Sequence, residues 1–267
     1  MINLNTNSNA SLLNQVQQKQ ESIFEKLASG KRVNGAADGA AAQQIIDRLT
    51  SQVEGNRQAI ANTYDGISLT QVAEGGLSGI NEDVNRIREL SVQAGNGLLS
   101  DGDRKALQAE VTQLQENISQ TIKQTEFAGK PLLSGEGNID FQVGANSGQK
   151  IGVGTKDVAA GLNDILNVDL STAQGAEDAL AAADSAIEYV GSARSDLGAL
   201  QNRFESNARN LSQADVNVAA ARSRIQDTDY AQATSESASA DILSQATIAI
   251  QRQANQQQGQ VLSLLNG

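Results

Sequence analysis

Histidine, cysteine and tryptophan are absent from this 267-residue sequence, and proline occurs once, at Pro131. Aromatic residues make up 3% of it. Without histidine or cysteine, zinc, haem and thiol chemistry lose their usual ligands and nucleophiles, so neither a metal nor a cofactor is expected. Zero cysteine excludes a disulfide framework without fixing the compartment. No apolar run approaches the roughly 18 residues of a membrane span, so no membrane insertion is expected. The opening stretch MINLNTNSNASLLNQ has no basic segment followed by an apolar one, which argues against a cleaved secretory signal. A net charge of −11 favours solubility and argues against a nucleic-acid partner.

What the sequence does have is a seven-residue ladder. Ala183, Val190, Leu197, Phe204, Leu211, Val218 and Ile225 are all apolar. A strict repeat of this period keeps one seam of a helix facing a partner helix. The companion positions begin with Leu180 and Ile187 but continue as Arg194, Gln201, Ala208, Asp215 and Arg222. The seam is therefore narrow and calls for another long helix beside it.

Such helices are present. One is expected over about 8–28, with Leu13, Val16, Ile23 and Leu27 on a stripe that Gln20 interrupts. Glycines and an Asn-Gly pair break the chain over 29–39. A second helix is expected over about 40–94, carrying Ile46, Val53, Ile60, Ile67, Leu77, Ile80, Val84 and Ile87; its register slips near Gly75, Gly76 and Gly79, as in a stutter. At this length it would extend roughly 80 Å. A third spans about 103–125 with Leu107, Val111, Leu114, Ile118 and Ile122 in line. After Pro131 the period changes to two: Ile139, Phe141 and Val143 alternate, GANSGQ turns, and Ile151 and Val153 alternate again, which signals a β-hairpin. The stretch up to Ser171 reads as loop with an apolar patch at Leu162, Ile165 and Leu166. The ladder helix occupies about 173–225, and a last helix about 233–265 aligns Leu243, Ile250, Val261 and Leu264. The fold class expected is mainly α, a long antiparallel helical rod with a small hairpin near 139–153.

Both terminal helices are rich in Gln, Ser, Asn and Ala, and after Asp241 the one charged residue is Arg252. A short amphipathic helix cannot bury its stripe alone, and ordering it costs on the order of 1 kcal/mol per residue. The two ends are thus expected to fold against each other and against neighbouring copies.

No catalytic constellation emerges. Asp227 and Asp229 share a turn that reads as a helix end, and a hydrolase built on two carboxylates would lack any supporting pocket. Gly152 and Gly154 resemble the start of a dinucleotide loop, but the third glycine is missing at Asp157. Gly30-Lys31-Arg32 and Gly129-Lys130-Pro131 lack the rest of a phosphate loop. Sequons at Asn9, Asn117 and Asn210 fall on expected helices. Arg86, Arg88, Glu89 and Glu110 read first as a solvated charged face with pairs at helical spacing, and alternatively as a docking face for a partner protein.

Longer strings are more specific. SGKRVNGAADGAAAQQIIDRL (29–49), DGISLTQVAEGGL (65–77) and RIRELSVQAGNG (86–97) resemble the N-terminal core of bacterial flagellins, and DLGALQNRF (196–204), ARSRIQDTDYA (221–231) and QANQQQGQVLSLL (253–265) the C-terminal core. The resemblance spans about 1–143 and 175–267. It implies a structural subunit of the flagellar filament, a helical homopolymer serving as the swimming propeller and not an enzyme. A coiled-coil adapter would explain the ladder but not the glutamine-rich ends, and the hook–filament junction protein is the alternative within the resemblance.

The resemblance also implies an organisation: 1–40 with 228–267 as an inner-tube domain, 41–143 with 173–227 as an outer-tube domain, and 144–172 as a short exposed segment. Longer flagellins carry outer domains there, so a thin, smooth filament is expected. Expected partners are further copies of the chain, an export chaperone on the C-terminal helix, the filament cap and the hook–filament junction proteins. Unprocessed type III export to the extracellular flagellum is implied too. The family's immune-receptor contact maps onto Arg86, Leu90 and Glu110, so the vertebrate flagellin-sensing Toll-like receptor is a further expected partner. Subunit packing and assembly are assigned to Leu13, Val16, Ile23, Leu27, Arg194, Asp215, Arg222, Leu243, Ile250, Val261 and Leu264. Departures from the family pattern at Asp38-Gly39, Ala42 and Gln258-Gly259 fall in the turn and inner-tube segments, where the resemblance implies an effect on filament polymorph and stability.

Overall fold

The computed structural model describes residues 6–265, and side-chain surroundings for residues 11–256. Seven helices and four short strands succeed one another: α1 (Thr6–Ser29), α2 (Ala36–Ala94), α3 (Asp101–Gln124), β1 (Glu126–Phe127), β2 (Lys130–Pro131), β3 (Ser134–Gln142), β4 (Lys150–Asp157), α4 (Val158–Gly161), α5 (Asn163–Leu166), α6 (Ala173–Gln226) and α7 (Tyr230–Leu265). They form two compact units, residues 1–53 with 216–267 and residues 54–215. Helices α2 and α6 contribute to both.

In the 54–215 unit the directions of the helices can be read from their side-chain pairs. Arg57 pairs with Asp215, Glu74 with Arg194, and Arg88 with Asp184. The partner number falls as the α2 number rises, so α2 and α6 run antiparallel. Asp83 with Asn117 and Arg86 with Glu110 set α3 antiparallel to α2 in the same way. The core between them is continuous: Leu69, Leu77, Ile80, Val84 and Ile87 from α2, Val111, Ile118 and Ile122 from α3, and Ala176, Ala179, Ala183, Ala186 and Val190 from α6. Alanine on the inward face of α6 has almost no rotamer entropy to lose and lets a helix approach closely. Of the ladder, Ala183, Val190 and Phe204 are buried, and Leu197, Leu211, Val218 and Ile225 are half-buried.

Helix α2 continues unbroken through Gly75, Gly76 and Gly79, and its buried positions Leu69, Ala73, Leu77, Ile80, Val84 and Ile87 advance by three or four residues. Gly76 makes room for its neighbours: a Cβ there would lie 2.5 Å from Thr125 Oγ1 and 3.1 Å from Leu133 Cδ1. Gly66 does the same for Phe204, whose Cζ would be 2.5 Å from an added Cβ. Phe204 also meets Phe141 edge to face, with ring centres 5.6 Å apart.

The hairpin forms as the alternation predicts, with Ile139 opposite Val153 and Phe141 opposite Ile151. It is fixed to both long helices, because Asn62 Nδ2 donates to Gln142 O and Asn207 Nδ2 to Val143 O, each at 2.9 Å. The preceding ladder β1–β2 is a difference from the sequence expectation. Its two-residue turn, Ala128 and Gly129, has positive φ at both positions (50° and 75°), the mirror-image turn that suits a tight hairpin. The expected loop before α6 contains the single turns α4 and α5, too short to show a period. Asp157 caps α4 by accepting the Ala160 N–H. Glutamines of α3 anchor the segment from α5 to α6: Gln115 Nε2 donates to Ile165 O and Val168 O, and Gln108 Oε1 accepts the Leu170 N–H.

In the other unit, α1 lies antiparallel to α7. Gln20 donates to Asp241 and the Tyr230 hydroxyl to Leu27 O. Helix α7 starts at Tyr230 rather than near 233 because Asp229 Oδ1 accepts the N–H groups of Ala231 and Gln232, supplying an N-cap where the sequence pattern indicates only a turn. Non-helical backbone at Gly39 separates a first turn of α2 from its regular part.

Two outcomes are expected. Gly66→Ala, which drives a methyl into Phe204, destabilises the chain by ~1–3 kcal/mol, whereas Gly75→Ala, with no atom within 4 Å of its added Cβ, leaves stability equal or higher; denaturant unfolding compares them. Ser100 and Asp103 form a reciprocal capping box at the start of α3, and the bonds from the Ser100 hydroxyl and N–H hold the Asp103 carboxyl below its ordinary pKa of 3.8. Its stabilising effect is complete above that ordinary value and is lost as pH falls through the lowered one. Ser100→Ala should lower the unfolding midpoint at neutral pH and flatten its acid dependence.

Candidate functional site

The charged face predicted on α2 is assembled as a compact network in the 54–215 unit. Arg86 Nη2 lies 2.7 Å from Glu110 Oε1, and Arg86 Nη1 lies 3.0 Å from Glu89 Oε2. The bond to Glu110, then that to Glu89, raises the Arg86 pKa further. One step along, Arg88 Nε donates to Asp184 Oδ1 at 2.6 Å, and Asn117 Nδ2 donates to Asp83 Oδ2 at 2.7 Å. Burial raises the Asp83 pKa against the pull of that bond. Arg86, Arg88, Glu89 and Glu110 all remain open to solvent. Leu90 does not: it is 1% exposed and belongs to the core, so it supports this surface from beneath rather than presenting a side chain on it. The network presents fixed, mutually paired charges to solvent.

The residues assigned to packing and assembly separate into two sets. Val16 and Ile23 are buried, and Leu13 and Leu27 half-buried, on the α1 stripe. On α7 the buried positions are Ala233, Ala240 and Thr247, with Ala254 half-buried, a seven-residue series of small side chains. The large apolar residues point elsewhere: Leu243 and Ile250 are exposed, as is Ile242 at 68%. Val261 and Leu264 lie outside the residues whose side chains are described. Arg194 donates through Nη2 and Nε to Glu74 Oε1 at 2.8 and 3.0 Å, an ion pair within the chain. Asp215 faces Arg57 through one carboxylate oxygen at 3.5 Å, while its other oxygen is buried without a partner. Arg222 is half-buried on α6.

The remaining candidates resolve into local structure. Asp229 caps α7, and Asp227 accepts a hydrogen bond from Ser223 and pairs in a single bridge with Lys31. Gly152 and Gly154 belong to strand β4. Gly129 occupies the β1–β2 turn. Among the described residues no three ligand-type side chains converge to hold a metal ion, and no helix is long and apolar enough to cross a membrane.

Sequence reasoning missed Glu74 and Asp184, the acidic partners of Arg194 and Arg88, and the exposed Ile242. A usable signal existed for the first two, because residue numbers paired across antiparallel helices sum to a near-constant value. For Ile242 there was none, since the larger side chain on a helix is ordinarily assumed to be the inward one.

The bacterial flagellin N-terminal helical region matches residues 2–138, and the bacterial flagellin C-terminal helical region matches residues 180–265. The chain is 39% identical to the flagellin of Bacillus subtilis (strain 168), over 98% of this chain and 97% of that protein. It is 40% identical to the flagellin of Halalkalibacterium halodurans, over 92% and 91% respectively. Among solved structures, that of Bacillus cereus flagellin superposes with a TM-score of 0.53 at 27% identity, covering 61% of this chain and 94% of that one.

The difference in depth between Leu90 and its charged neighbours has a measurable outcome. Leu90→Ala removes a fully buried side chain and should cost ~2–5 kcal/mol in denaturant unfolding. Glu110→Gln removes one partner of an exposed ion pair and should leave the unfolding midpoint almost unchanged.

Proposed function

Since the chain belongs to the bacterial flagellin family, as a self-polymerising structural subunit of the flagellar filament, we propose that its two compact units divide the work of that polymer. The unit of residues 1–53 with 216–267 supplies the inner tube, and the unit of residues 54–215 the outer tube. The observation that carries this reading is the inversion on α7. Its small residues Ala233, Ala240 and Thr247 are buried, while Ile242, Leu243 and Ile250 are left exposed. Phe24 and Leu12 on α1 are exposed as well. Exposed apolar area is stabilised by roughly 25 cal/mol per Å² when a partner covers it. In a homopolymer the partner is another copy, and contacts that repeat without closing on themselves build an open helix.

The half-buried Arg222 and Asp215 are further points of subunit contact, as are Val261 and Leu264, of which Leu264 is in sequence register with Leu243 and Ile250. Before assembly, the same α7 surface is the one an export chaperone would cover, which keeps the monomer from polymerising prematurely. Unprocessed export, guidance by the filament cap and attachment through the junction proteins complete this reading, in which the chain performs no catalysis. The solvent-open charges of Arg86 and Glu110 are the contact offered to the vertebrate flagellin-sensing receptor, with Leu90 as the buried support that holds α2 in place.

Seeded polymerisation tests the central claim. Purified monomer given filament fragments and ammonium sulfate should elongate into long filaments under the electron microscope. The double variant Ile242→Ser/Ile250→Ser should keep the helical circular-dichroism spectrum and fail to elongate seeds. Normal elongation by that variant would remove α7 from the interface. For the receptor contact, purified Glu110→Ala monomer should activate receptor-bearing cells less than the parent does; equal activation would place the contact elsewhere.

A further inference from the structure

Two Asn-Gly pairs lie among the described residues, and their surroundings are opposite. At Asn34-Gly35 both reactive groups are held. Asn34 Nδ2 donates to Glu25 Oε1 at 3.1 Å, and the Gly35 N–H donates to Asp38 Oδ2 at 3.2 Å. The backbone bonds that Asp38 accepts from Asn34 and Gly35 also keep its carboxyl ionised to lower pH than usual. At Asn96-Gly97, in the exposed turn between α2 and α3, the Gly97 N–H has no partner among the described residues, and no atom lies within 4 Å of where a Cβ would stand. The adjacent Leu98 is 93% exposed. The Asn96 side chain is not idle, because its Oδ1 accepts the Leu98 N–H at 3.1 Å, closing a side-chain turn.

We propose that Asn96 is a self-modifying residue, converting to isoaspartate and aspartate through attack by its own neighbour. The Gly97 nitrogen gives its proton to a solvent base and bonds to Asn96 Cγ. The Cγ–Nδ2 bond breaks, and the amide nitrogen leaves as ammonia, giving a cyclic imide. Water then adds to either imide carbonyl and opens the ring. The Leu98 N–H is aimed at Oδ1, the atom on which negative charge develops during the attack, and so acts as a fixed oxyanion donor. Arg104 adds a bias toward one product. Its Nη2 donates to the Asn96 main-chain oxygen at 3.1 Å, and Nη1 donates to Ala94 O. When the ring opens to isoaspartate, that main-chain carbonyl becomes a free carboxylate, and the buried guanidinium is already in place to pair with it. The modification would leave the α2–α3 turn with a lengthened backbone and one more negative charge.

The test is peptide mapping by mass spectrometry, with isoaspartyl-methyltransferase labelling, on the soluble full-length chain incubated in mildly alkaline buffer. The Asn96 peptide should gain the mass of an amide-to-acid exchange about tenfold faster than the Asn34 peptide, whose attacking N–H is held by a carboxylate, with isoaspartate the main product. In concentrated urea the two rates should converge, since the local sequences are alike and the discrimination belongs to the fold. Gly97→Ala fits the open space and should suppress the reaction at Asn96. Asp38→Ala frees the Gly35 N–H and should speed the reaction at Asn34, which tests the same logic at the other site. Equal rates at the two sites in the folded chain, or an unchanged Asn96 rate in Gly97→Ala, would overturn the proposal. The Asn266-Gly267 pair lies outside the described residues and is tracked as a separate peptide.

Discussion

No amphipathic helix can hide its apolar stripe from water by itself, and every long helix in this chain carries one. The consequences differ between the two compact units. In the 54–215 unit, three helices and a hairpin share a single core, and the alanines of α6 let that core be thin. Phe204 is the one large aromatic side chain fully buried there, and it is accommodated because α2 offers Gly66 opposite it. In the unit of residues 1–53 with 216–267, α1 buries Val16 and Ile23 while α7, among its described residues, buries only small ones. The first unit covers most of its large apolar side chains within the chain, whereas the second leaves Phe24, Ile242, Leu243 and Ile250 exposed.

Charge has a secondary role. The cross-helix pairs Glu74–Arg194 and Arg88–Asp184, and the Lys156–Asp196 pair between β4 and α6, are all substantially open to solvent, so each contributes little to stability. They matter for direction and register, since an antiparallel pairing displaced by one helical turn would separate all of them at once. The excess of acidic residues, a net charge of −11, opposes indiscriminate association through exposed isoleucine and leucine.

The elements whose length exceeded a few turns were legible in the sequence. The ladder from Ala183 to Ile225, the stripe of α3 and the alternation about Ile139 and Val153 each repeated long enough for a period to be measured, and each formed as expected. Single turns such as α4 and α5 carry too few residues for any period, and β1–β2 depends on positive φ at Ala128, a residue type that gives no warning of it. The role of Gly76 was not legible, for a physical reason. A glycine in a helix signals either a weakness or a close neighbour, and only the positions of Thr125 and Leu133 distinguish the two. The charged face was legible as residues but not as depth. Leu90 shares a string with Arg86, yet the helix turns one into the core and the other into water. On α7 the sequence identified the apolar seam and the structure supplied its direction, which is outward.

The hydrogen bond between Gln20 and Asp241 joins residues 221 positions apart. Closing a loop of that size costs chain entropy that grows only slowly with length, but the search for such a contact is slow compared with the local winding of a helix. A chain threaded through a narrow channel from either end cannot make this contact until almost all of it has emerged. The 54–215 unit waits for less of the chain, because its hairpin strands pair across a short turn and its Arg57–Asp215 pair spans 158 positions. Order of folding is thereby written into connectivity: the pairing of α1 with α7 takes shape last, after the core of the 54–215 unit has already closed.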